Sequence, residues 1–165
     1  MKTKKILILL LTLVAMLSVF AVSASANNHT DVDFILYAFT NPEPNTYTAA
    51  RLKKDTSSSY VNYTTNSRGY AASGPYKFEA FIYGSSNGST FVDCSSYTYN
   101  NRPRSRAIIT KGTKGFIRQD VYERFGYNSY AQIWAKQESQ ANRGTAMGCW
   151  SADSVGTYNH YNHVI

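Results

Sequence analysis

Residues able to carry catalysis are scarce in this chain of 165 residues, which has three histidines and two cysteines. His29 stands near the beginning, and His160 and His163 fall within the last six residues. None is framed by a strand pattern that would hold it in a rigid triad. No G-x-S-x-G, H-E-x-x-H or glycine-rich phosphate loop occurs after residue 26. These absences point to a protein that is not an enzyme and needs no cofactor or metal. Long runs of Leu, Glu, Lys and Ala are also missing after residue 26, which removes the usual signal for helices. There is no internal repeat and no second hydrophobic segment, so no integral membrane segment is expected beyond the start of the chain.

The first 26 residues form a pattern of their own. Lys2, Lys4 and Lys5 precede an uncharged, largely apolar run from Ile6 to Val22, and Ala24-Ser25-Ala26 supplies the small residues that signal peptidase reads. The expectation is a signal peptide over 1–26, cleaved before Asn27, and a secreted protein that is extracellular or loosely wall-associated. An uncleaved anchor is the competing reading, although the run is short for a span and the small-residue site follows it directly. No cysteine ends the run, which argues against a lipid-anchored form.

Cleavage there leaves 139 residues, enough for one domain with one core. Three of the 17 basic residues go with the signal, so 14 basic residues face 10 acidic ones and the net charge falls to +4. That is a mild preference for anionic surfaces, weak for nucleic acid, and it also serves solubility. All 14 tyrosines lie in the mature part among many Ser, Thr, Asn and Gly residues. Such a mixture favours strands joined by turns.

Strands are expected over Asp33 to Thr40, Tyr47 to Lys53, Ser59 to Thr65, Tyr76 to Tyr83, Thr90 to Asn100, Ser105 to Thr110, Tyr130 to Lys136 and Gly144 to Ser151. The clearest is YKFEAFIY, where Tyr76, Phe78, Ala80 and Ile82 alternate with Lys77 and Glu79. Asn66 to Pro75 reads as loop with one edge pairing at most. Ile117, Val121 and Phe125 recur every four residues and Gly126 follows, which predicts one short helix over 117–125 with Tyr127 as its closing hydrophobic contact. The fold class is therefore all-β, an antiparallel β-sandwich of seven or eight short strands over residues 27–155; a small closed barrel is the alternative. Residues 156–165 read as a flexible tail.

Cys94 and Cys149 are an even pair in an exported chain, which favours one disulfide closing 55 residues and contributing about 4 kcal/mol. Two reduced, buried thiols are the other reading. Arg102, Arg104 and Arg106 alternate through NRPRSR, with Lys111, Lys114 and Arg118 following. In extended form the three arginines project to one side, which suits a repeating phosphate polymer such as wall teichoic acid. Charge and proline on a border strand would equally serve to block aggregation. Tyr97 and Tyr99 share a face beside this run and could stack on sugars, or simply pack. Asp31 and Asp33 read as solubilising charges ahead of an apolar strand, and His160 with His163 as part of a solvated tail.

Four stretches together resemble a group of small secreted proteins of Gram-positive bacteria of unknown function: Thr56 to Val61, Ile117 to Gly126 with Val121-Tyr122-Glu123 inside it, Gly126-Tyr127, and Gly148-Cys149-Trp150-Ser151-Ala152-Asp153-Ser154. The resemblance covers about residues 47 to 155 and implies no catalytic residues. Ala152 stands where the pattern has proline and Cys149 where it has a small or aliphatic residue, which marks the cysteine pair as this chain's own addition. Trp150 is expected to cap the core, and Asp153 with Ser154 to close a turn. The functional expectation is a non-catalytic envelope-associated protein that recognises a cell-wall polymer or envelope surface. The alternative is a secreted bacteriocin-like antagonist.

Overall fold

The structure, a computed structural model, describes residues 29–36, 46–95, 97–99, 102–104, 106–138, 144–161 and 163–164. The signal peptide expected over 1–26 lies outside the described residues. Among the described residues the fold is all-β, with antiparallel pairing between the strands and one short helix. Among the described residues, no helix is long and apolar enough to cross a membrane.

A four-stranded sheet runs in the order β1 (Val32–Leu36), β12 (Ala146–Ser151), β4 (Ser59–Asn62) and β10 (Lys114–Ile117). A larger sheet runs β13 (His163–Val164), β9 (Arg106–Thr110), β5 (Lys77–Ser85), β11 (Ser129–Gln137) and β2 (Thr46–Tyr47). Beside that path, β3 (Arg51–Lys53) pairs with β11, and β6 (Val92–Asp93) pairs with β5. A separate two-stranded sheet joins β7 (Tyr97–Tyr99) to β8 (Arg102–Arg104).

Inward side chains of both sheets form one core. Phe34 and Leu36 of β1, Val61 of β4, Ile117 of β10 and Trp150 of β12 meet Phe78, Ala80 and Ile82 of β5, Ala107 and Ile109 of β9, and Ala131, Ile133 and Ala135 of β11. Alternation in β5 and β11 puts these residues on one face, as their sequence pattern requires. Tyr76 departs from the pattern: it precedes β5 and is 63% exposed. Tyr63 is fully buried, and its hydroxyl donates to the carbonyls of Ser73 and Pro75. The loop at 66–75 is held by isolated bridges from Thr65 to Ala71 and from Ser73 to Met147.

Several expectations are corrected. The described strands are more numerous than the seven or eight expected, because the candidates Tyr47 to Lys53 and Thr90 to Asn100 are divided into β2 and β3 and into β6 and β7. The helix α1 is confined to Val121–Phe125, and Ile117 belongs to β10, paired with Ser59. Four-residue spacing is met here by a strand end followed by a helix start, since Ile117 and Val121 both reach the core. Gly126 does end the helix, at φ 77° with its N–H on the Tyr122 carbonyl, but Tyr127 stays 56% exposed and closes nothing. Arg102 and Pro103 extend a strand where a strand end was expected.

The cysteines are also corrected: Cys94 and Cys149 are free, buried thiols. Cys94 lies against Gly84 of β5 and Val121 of α1, with its N–H on the Ile82 carbonyl. Cys149 lies in the other sheet, where its Sγ faces Asp31 and the Thr65 carbonyl. Cys94 directly follows β6 of the large sheet and Cys149 lies within β12 of the small one, each with its own contacts.

The final segment carries backbone pairing where fraying was expected. Tyr161 N–H donates to Phe116 O at 2.9 Å, Phe116 N–H donates to Asn159 O at 3.0 Å, and β13 pairs with β9. Gly115 permits this approach, because a Cβ there would stand 2.6 Å from the Asn159 carbonyl.

Candidate functional site

The basic run divides into two places. The register of the two-stranded sheet sets Tyr97 opposite Arg104 and Tyr99 opposite Arg102, so four candidate positions share one hairpin. Their side chains lie outside the described residues. Arg106 starts β9 and is turned to another task, with its guanidinium 3.2 Å from Glu79 on β5. Lys111 and Lys114 belong to the opposite end of β9, about 17 Å along the strand at the usual rise per residue. Arg102 and Arg104 on the hairpin are thus set apart along the chain from Lys111 and Lys114 at the β9–β10 turn.

At that far end the lysines meet aromatic rings. Lys111 and Lys114 are exposed on the β9–β10 turn. Lys114 Nζ lies 5.3 Å from the centre of the Tyr158 ring, and Lys77 Nζ lies 5.7 Å from that of Tyr76. Lys111 N–H donates to the Tyr76 carbonyl, which draws the two pairs together. Beside them is a cleft of about 280 Å³ lined by Ile108, Thr110, Thr113, Lys114, Asn159, His160 and Tyr161. Burial, and secondarily the charge of Arg118, hold the His160 imidazole below its ordinary pKa. Its Nε2 is 3.2 Å from the Ser58 hydroxyl. Cations, hydroxyls and an amide around one cleft form a setting suited to an oxyanion, and flanking rings supply cation–π contacts and apolar area.

A second cavity, of about 330 Å³, is lined by His29, Asp31, Tyr60, Ser151, Val155 and Tyr158. Burial raises the pKa of the Asp31 carboxyl. The neighbouring Cys149 thiol is pushed up to about 12, chiefly by burial and then by the Asp31 charge, so it is protonated at neutral pH and is no nucleophile. Asp31 is thus a cavity wall, where the sequence suggested a solubilising charge. No local signal could have shown this, since the walls come from segments far apart in the chain. Among the described residues, no group of three or more His, Cys, Asp or Glu is placed to hold a metal ion.

The third feature is a buried polar cluster. Lys53, at the end of β3, and Asp153, just after β12, are both fully buried, with Nζ 2.6 Å from Oδ1. Asp55 Oδ1 is 3.3 Å from the same Nζ, which also donates to the Ser57 carbonyl. Lys54 N–H lies 3.2 Å from each Asp153 oxygen. Ser154 N–H donates to Ser57 Oγ, Ser59 Oγ to the Ala152 carbonyl, and Gln119 Nε2 to the Ser57 carbonyl. The Asp153 carboxylate accepts from Lys54 N–H and Ser154 N–H donates to Ser57 Oγ, so these side-chain to backbone bonds reach a segment 99 and 97 residues away.

The stretches Thr56 to Val61, Ile117 to Gly126 and Gly148 to Ser154 therefore meet around Ser57. A family model matches residues 18–154, a span that includes all of them. The chain belongs to DUF2712, a family of proteins of unknown function. No curated protein and no solved structure matches it. The matched span takes in the small sheet, all of the large sheet but β13, and the Lys53–Asp153 cluster, and it stops just before the segment that supplies Asn159, His160 and Tyr161 to the lysine-lined cleft.

Proposed function

We propose that this DUF2712 member is a secreted, non-catalytic β-sandwich of a Gram-positive bacterium that associates with anionic polymers of the cell envelope. The observation that carries the reading is the far end of β9, where exposed Lys111 and Lys114 border a cleft furnished with Thr110, Thr113, Asn159 and His160. A polymer of repeating phosphates would lay one group in the cleft while neighbouring units meet Lys77 and Lys111. Tyr76 and Tyr158, both exposed, would cover the polyol or sugar between phosphates. The hairpin with Arg102 and Arg104 offers a second contact along the same polymer. Arg106 is left out of the site, because its charge is already matched by Glu79.

Co-sedimentation with purified Gram-positive cell walls, with and without teichoic acid, across a salt series tests the reading. Binding is expected to weaken with salt and to vanish on stripping, as exposed charge contacts do. The pair Lys111→Glu and Lys114→Glu is expected to remove most of it, and Arg106→Gln to leave it near wild type. Binding that survives both salt and stripping would instead indicate glycan recognition through tyrosines. No binding under any condition would end the proposal.

A further inference from the structure

A lysine and an aspartate that are both fully buried, 2.6 Å apart, and accompanied by a second carboxyl group are placed as reactants as well as an ion pair. We propose that Lys53 and Asp153 condense spontaneously in the folded protein to an intramolecular amide, covalently joining the two sheets.

Each requirement of that reaction has a group in place. Transfer of a proton across the 2.6 Å contact from Lys53 Nζ to Asp153 Oδ1 converts the ion pair into an amine and a carboxylic acid. Reacting atoms held roughly 3–3.5 Å apart are close to attack, and the contact to Oδ1 leaves Nζ beside Cγ. The Nζ lone pair adds to Cγ, and the resulting oxyanion is met by Lys54 N–H, which already lies 3.2 Å from both carboxyl oxygens. The Asp55 carboxylate, 3.3 Å from Nζ, takes the proton released there and returns it to the departing hydroxyl.

The balance is simple. One C–N bond forms, one C–O bond breaks, the ammonium and carboxylate together lose one water, and nothing is oxidised or reduced. The product replaces two buried charges by a neutral amide, which removes a desolvation penalty.

Its position gives the bond a purpose. Lys53 belongs to β3 of the large sheet, where it pairs with Ser129, and Asp153 follows β12 of the small sheet. A bond between them encloses 100 residues and prevents the sheets from separating. It would do the work expected of a disulfide in an exported domain whose two cysteines are unpaired.

Intact-mass spectrometry of the folded full-length or naturally processed protein is the test. The wild type is expected to be lighter than its composition by one water, and a digest of the denatured, reduced protein to contain a branched peptide joining residues 53 and 153. Lys53→Arg is expected at its full mass. Asp153→Asn is expected to lose ammonia in place of water if it folds, and Asp55→Asn to form the bond more slowly. A wild type at full composition mass after days at neutral pH overturns the proposal, as does a water loss that persists in Lys53→Arg. Neither result depends on binding to cell walls.

Discussion

Lys53 Nζ donates to Asp153 Oδ1 at 2.6 Å, with both side chains wholly shielded from solvent, across 100 residues of chain. Removing Asp153 leaves the buried Lys53 ammonium with only the longer contact to Asp55 at 3.3 Å. Asp153→Ala is expected to cost about 3–5 kcal/mol in denaturant unfolding, as does breaking buried pairs elsewhere. Lys53→Met paired with Asp153→Leu is expected to recover part of the loss. A double variant no more stable than Asp153→Ala would contradict this account.

Cys94 bears on Gly84 in a similar way. A Cβ added at Gly84 would stand 2.8 Å from Cys94 Sγ and 2.8 Å from a Val121 methyl. Gly84→Ala should therefore destabilise by about 1–3 kcal/mol through overpacking. Adding Cys94→Ala should relieve part of it, and thermal unfolding of the single and double variants measures the coupling.

The free thiols should be silent in the native state. Burial pushes Cys94 up to about 11 and Cys149 up to about 12. At pH 8 a thiol-specific chromogenic reagent is expected to label neither without denaturant and both with it. No thiol released on unfolding without reductant would restore the disulfide expected from the sequence.

Acid should act on His160 in two opposite ways. Its folded pKa lies below the ordinary 6.5, so the unfolded chain binds the proton more readily. Its contribution to stability is present above the unfolded pKa and is lost as pH falls through the folded one. Over the same interval the new imidazolium adds positive charge to the lysine-lined cleft, so retention on teichoic acid should increase. Binding and melting curves from pH 7 to 5, with His160→Gln as the comparison, are expected to show both trends in the wild type and neither in the variant.

Asp31 titrates in the reverse sense. Burial raises its folded pKa, so its ionisation weakens the fold as pH rises through the window between the unfolded and folded values. Asp31→Asn should raise stability at neutral pH by about 1 kcal/mol or less, its partial exposure limiting the effect. The difference should close in acid. A variant equally stabilised at pH 3 and pH 7 would exclude the carboxylate charge as the cause.

What the residues determined alone was the part governed by local period and composition. Alternation in FEAFI and AQIWA placed Phe78, Ala80, Ile82, Ala131, Ile133 and Ala135 in the core, because a strand must turn successive side chains to opposite faces. Gly126 ended a helix because a positive φ is cheap for glycine. The all-β class followed from the same local preferences. Tertiary structure decided everything that depends on which segments meet. It assigned Ile117 to a strand, placed one thiol beside the large sheet and the other within the small one, and divided Arg102 and Arg104 from Lys111 and Lys114 by the length of β9. It also made a cavity wall of Asp31 and a buried partner of Lys53, since strand pairing and sheet packing join positions a hundred residues apart that no sequence window contains.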